Sequence, residues 1–165
     1  MSSFIEIGKE VLRKEAEAII QVMNGLGDSF DRAIDIIHGC TGRVVLSGMG
    51  KSGLICKKIA STLSSTGTPA LFLHPADSLH GDLGMLQKGD VLIAVSNSGE
   101  TEEIIKILPW VKRMGIPTIV ITSKEGSTVA AHGDVVLNFR VDEACPYNMV
   151  PTSSTTATLA LGDAL

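Results

Sequence analysis

Aromatic residues are scarce in this chain, 4% of 165 residues, although hydrophobic residues as a whole make up 44%. The core must therefore be built from Val, Ile, Leu and Ala, which suits a parallel sheet covered by helices on both faces. No apolar run reaches the roughly 20 residues that a membrane-spanning helix needs. The N-terminal stretch MSSFIEIGKEVLRKEA holds no hydrophobic signal core. No membrane partner is expected. Basic residues are few and scattered: 14 Lys and Arg against 18 Asp and Glu leave a net charge of -4. Nucleic-acid binding wants a concentrated basic face, so nucleic acid is not expected as a partner either. Three cysteines, Cys40, Cys56 and Cys145, are odd in number and lack metal-ligand spacing. They read as free thiols of a reducing cytoplasm. Internal repeats, linkers and low-complexity segments are absent. A chain of this length fits one domain, able to bury about two-thirds of the surface its unfolded form exposes.

Hydrophobic periodicity supplies the elements. Residues 4–23 carry Ile5, Val11, Leu12, Ile19, Ile20 and Met23 among Glu and Lys, an amphipathic helical pattern, and 28–37 give a second helix stopped at Gly39. The pattern then changes. Short apolar runs at 43–47, 70–73, 91–95, 117–122 and 135–139 predict strands, separated by helices over 54–65, 101–114 and 127–132 or by the long crossover 74–84. Five strands alternating with helices predict an α/β fold, an open, doubly wound, five-stranded parallel sheet flanked by helices in three layers. A loop over 141–151 leads into a last helix from Thr152, with Gly162 the one stop signal before Leu165.

The stretch VLIAVSNSGETEE, residues 91–103, organises the rest. It predicts a buried strand, a tight turn at Ser96, Asn97, Ser98 and Gly99, and a helix start from Glu100. Unpaired N–H groups and the helix dipole favour an anion at such a terminus, above all a phosphate. Ser96, Ser98 and Thr101 add three hydroxyls, and Gly99 permits close backbone approach. An ordinary N-cap is the structural alternative. A second strand-turn-helix junction, GMGKSG at 48–53, formally fits G-x-G-x-x-G. A dinucleotide site also wants an acid about 20 residues on, at the end of the next strand, but that strand ends at His74-Pro75. A Walker A loop would need glycine where Val45 stands. Two anion sites at the carboxyl edge of one sheet remain. Ser52 and the Ser96, Ser98 and Thr101 cluster are expected to hold one phosphate, with Gly50 in the turn and Lys51 free to act on the rest of the ligand.

Glu100 and Glu102 read as helix-start acids. Glu103, five residues past Ser98, falls where a ligand anchored at the helix start would extend, and Glu143 lies in the loop after the last strand, again at the carboxyl edge. His38 and His132 read as helix C-terminal caps. His74 and His80 lie in the crossover HPADSLHGDLG, where His80 followed by Asp82 is suited to substrate, a proton or adventitious metal; the spacing is not that of a metal site.

GMGKSG, STGTPALFLHPADSLHGDLGM, SNSGETEE and EACPYNMVPTSSTTATLALGDAL together resemble the sugar isomerase (SIS) domain of arabinose-5-phosphate isomerases, from about Gly8 to Leu165. The SNSGET loop alone marks SIS domains in general, which include isomerases, aminotransferase halves and sugar-phosphate-sensing regulators. The resemblance implies interconversion of D-arabinose 5-phosphate and D-ribulose 5-phosphate for the eight-carbon acid sugar of lipopolysaccharide. It implies that Ser52, Ser96, Ser98 and Thr101 hold the phosphate, that Lys51, Glu103 and Glu143 take part in catalysis, and that His80 lies at the site as a ligand for inhibitory metal. It implies no cofactor and no required metal, and a cytoplasmic homotetramer with shared active sites. The family continues past the last helix into a loop of HPGG type with a further catalytic histidine, and then paired CBS repeats. The 165-residue piece is therefore expected to fold and bind sugar phosphate but to isomerise poorly. Another phosphosugar isomerase, or a non-catalytic sensing module, is the alternative.

Overall fold

The computed structural model describes residues 3–165. Ser3 starts the chain's first helix, α1 (Phe4–Asn24), by accepting the Glu6 N–H on its hydroxyl at 3.2 Å. Helix α2 (Asp28–His38) follows, and then the sheet begins. Strands β1 (Val44–Gly48), β3 (Val91–Val95) and β4 (Thr118–Thr122) are buried at every position, while β2 (Ala70–Phe72) and β5 (Val135–Asn138) are only partly covered. That difference follows from position: all strands pair in parallel in the order β2-β1-β3-β4-β5, so β2 and β5 are the edges. The five predicted strands and the parallel sheet are those observed.

Alternate residues of the strands feed two cores. Val44, Leu46, Ile93, Val95, Ile119 and Ile121 face helices α1, α2, α3 (Gly50–Ser65) and α6 (Ser153–Ala164). Val45, Leu92, Ala94 and Val120 face α5 (Glu102–Arg113), whose Ile104, Leu108 and Val111 fill the other side. The short α4 (Pro75–Ser78) and a 3₁₀ turn, Asp82–Met85, complete the crossover from β2 to β3. Below the sheet, the buried Asp90 carboxylate accepts the N–H groups of Arg43 and Gln87 at 2.8 and 2.9 Å, tying the entrances of β1 and β3 together.

Three boundaries differ from expectation. Helix α3 begins at Gly50, not at 54, so Lys51 and Ser52 belong to its first turn rather than to a loop. Helix α5 begins at Glu102, which leaves Glu100 outside it. The helix expected over 127–132 contracts to a 3₁₀ turn, Ala130–His132, because Ser127 and Val129 are drawn into contacts with the loop after β3. Gly162 is no stop signal: it lies inside α6 against Ile59, where a side chain would not fit.

Candidate active site at the carboxyl edge

Adjacent pairing of β1 and β3, with Gly48 beside Val95, sends the GMGKSG and SNSGET segments out of neighbouring strands about 4.8 Å apart. This is where the strand order reverses direction, the place where ligands of doubly wound sheets bind. Gly50 takes a φ of 55° at the start of α3, Lys51 is exposed, and Ser52 is half-buried. Helix α3 presents its N-terminal N–H groups and dipole to the same edge.

The SNSG loop is built rather than loose. Ser96 is buried, and its hydroxyl pairs with that of Thr101, the N-cap residue of α5, at 2.8 Å. Ser98 Oγ accepts the Glu100 N–H at 3.2 Å. Two neighbours then clamp the loop. The Asn97 carbonyl accepts from the Ser123 hydroxyl at 2.7 Å, and the Gly99 carbonyl accepts the Val129 N–H at 3.0 Å. Glu100, read from the sequence as a helix-start acid, instead accepts the Thr128 N–H at 2.9 Å. That hydrogen bond, aided by the charge of Lys124, holds its carboxyl below the usual carboxylate range against a smaller opposing effect of burial. The side chains of Asn97 and Ser98 remain exposed, and Glu103 is half-buried in the first turn of α5.

Glu143 is held differently. Its Oε2 accepts the Thr152 N–H at 2.7 Å, the Thr152 hydroxyl at 3.0 Å and the Ser154 N–H at 3.2 Å, so this carboxylate caps α6 from ten residues upstream. The capping is reciprocal, because Ser153 Oγ and Thr152 Oγ1 accept the N–H groups of Ala144 and Cys145 at 3.0 and 3.1 Å. Burial pushes the Glu143 carboxyl up, but the hydrogen bonds from Ser154 and Thr152 outweigh it and hold the group below its ordinary value.

An open cavity of about 420 Å³ lies among the segments that follow β3, β4 and β5, lined by Asn97, Ser123, Arg140, Val141, Asp142, Glu143, Met149 and Pro151. Larger space, about 640 Å³, lies at the amino edge beside Lys88 and Asp90, but no hydroxyl-rich helix start opens there. Of the predicted site residues, the structure brings Asn97 and Glu143 into one cavity and Ser96 against Thr101. It does not bring Lys51, Ser52 or His80 to that cavity. His80 is exposed beyond α4, past the β2 edge, whereas Glu143 follows the β5 edge. Among the described residues, no group of three His, Cys, Asp or Glu side chains could hold a metal ion.

Ser123, Arg140 and Thr152 escaped the sequence reading. Their signal was a hydroxyl after β4, a charge after β5 and the TSST run opening α6, each at the carboxyl edge. Cys56, read as a plain free thiol, is buried under β1; burial pushes its thiol up to about 12.

The fold and the loop chemistry define an α/β domain of the kind that takes small anionic ligands at this edge. Residues 37–165 match the SIS domain model, and the chain belongs to the SIS domain family. It is similar to arabinose 5-phosphate isomerase KdsD of Francisella tularensis, 51% identical over all of this chain and 52% of the relative. The same enzyme of Pseudomonas aeruginosa is 49% identical over 98% of this chain and 50% of the relative. The chain thus spans about half the length of these curated relatives. Among solved structures, an Escherichia coli CFT073 protein in complex with arabinose 5-phosphate is 40% identical, with a TM-score of 0.95 over 99% of this chain and 89% of that one.

Proposed function

We propose that the protein is an aldose-ketose isomerase that interconverts D-arabinose 5-phosphate and D-ribulose 5-phosphate through an enediol. The observation that carries this reading is the near-complete match to the E. coli structure in complex with arabinose 5-phosphate. The clamped SNSG loop, a rigid anion seat beside a second helix N-terminus, supports it.

From aldose to ketose, a carboxylate takes the proton from C2, and the C–H electrons form the C1=C2 bond of the enediol as the C1 oxygen gains a proton. The proton is then returned to C1 while the C2 hydroxyl loses its own, giving the ketose with no change in composition. Ser52, Ser96, Ser98 and Thr101 hold the phosphate, a remote anchor that fixes the reacting carbons. Lys51 stabilises the developing enediolate charge, and Glu103 or Glu143 moves the proton. His80 contacts substrate, with inhibitory metal as its other ligand. The reading assigns no cofactor.

Arabinose 5-phosphate feeds the eight-carbon acid sugar of lipopolysaccharide, in the cytoplasm, and the enzyme is a homotetramer with shared active sites. Exposed apolar residues along α1 support self-association. Proton NMR of the protein with ribulose 5-phosphate tests the activity, and arabinose 5-phosphate should appear. Saturable binding without conversion would replace the enzyme with a sensing module.

A further inference from the structure

We infer that Thr152 is a positioning residue for Glu143, holding its carboxylate so that one oxygen is anchored on α6 and the other is left for the ligand. The inference rests on the reading of Glu143 as a group that meets substrate. Thr152 makes two of the three hydrogen bonds to Oε2, through its N–H at 2.7 Å and its hydroxyl at 3.0 Å. None of the described hydrogen bonds goes to Oε1, and Glu143 lines the 420 Å³ cavity. The same hydroxyl accepts the Cys145 N–H at 3.1 Å, so one side chain ties both the carboxylate and the loop that carries it.

The anchor is itself rigid. Helix α6 is seated in the core through Ala157 and Leu161, and Lys58 of α3 pairs with Asp163 near its end at 2.5 Å. A carboxylate on a ten-residue loop would otherwise sample many orientations. Proton transfer from carbon wants reacting atoms held within about 3.5 Å and aligned. The charged surroundings are simple. Arg140 and Asp142, from the segment after β5, share the cavity; the loops after β3 and β4 contribute the uncharged Asn97 and Ser123; and the first turn of α6 carries no acid or base.

The test compares Thr152→Val with Thr152→Ser. Thr152→Val should lower kcat about tenfold or more with KM within about twofold. It should also move the acidic limb of the pH–kcat profile upward, because a carboxylate that loses a donor becomes harder to ionise. Thr152→Ser should restore both. A Thr152→Val protein that merely melts earlier, with kcat and the acidic limb unchanged, would overturn the inference. Titration of the Glu143 carboxyl carbon by NMR in the 165-residue chain gives a readout independent of turnover, and an unshifted midpoint in Thr152→Val would overturn it equally. Glu143→Gln separates the two readings. If it abolishes turnover while Thr152→Val leaves kcat and the limb intact, positioning alone fails; if it leaves turnover normal, the catalytic reading of Glu143 fails and the inference with it.

Discussion

Gly99 carries two constraints at once. Its φ is 67°, a region that side chains strain, and a Cβ there would collide with the Ser127 hydroxyl. Gly99→Ala should destabilise the protein by about 3 kcal/mol, lowering the melting temperature by roughly 10 °C in a thermal scan. Binding of inorganic phosphate should weaken with it, since the loop can no longer lie against the β4 segment. Glu143 brings a pH dependence. Its folded value lies below its unfolded one, so its contribution is complete above that unfolded value and is lost as pH falls through the folded one. Urea melts between pH 6 and pH 3 should show this loss, and Glu143→Gln should flatten it. Gly99 was legible as the residue of a tight turn; its fit against Ser127 was not, because the two are far apart in the chain.

At the scale of the element, α6 shows what local pattern misses. Gly162 looks like a helix stop, yet its hydrogen sits where a methyl would run into the Ile59 side chain on α3. The glycine is the place where two helices approach closely. Gly162→Ala gains about 1 kcal/mol of helix propensity and loses about 1–3 to overpacking. A net loss of about 1 kcal/mol is expected by urea denaturation, and Ile59→Val alongside it should recover part by making room. The N-terminus of the same helix is capped from outside by Glu143, which no cap rule finds because caps are sought within three or four residues. Helix α3 starts four residues before its apolar pattern does for a related reason. Glycines at 48, 50 and 53 read as a turn, but Gly53 is required inside the helix, where a Cβ would meet the Gly48 carbonyl at 2.5 Å.

At the scale of the molecule, α1 is an outer layer. It packs on α6 and buries only Ala18 and Val22, leaving Phe4, Ile5, Leu12 and Met23 exposed at 94, 69, 69 and 59%. Light scattering after gel filtration should find an oligomer in the wild-type chain and a smaller species for Ile5→Glu with Leu12→Glu. A monomeric wild type would overturn the proposed assembly. Five strands, their alternation with helices and the hydroxyl-rich loop after the third were all determined by sequence alone, because periodicity and turn chemistry act over a few residues. Tertiary structure decided the rest: that β1 and β3 are neighbours, that Ser123 and Val129 clamp the SNSG loop, and that Glu143 caps a helix while sharing a cavity with Asn97 but not with Lys51 or His80. Those relations join residues far apart in the chain, and only packing of the two cores on the sheet sets which of them meet.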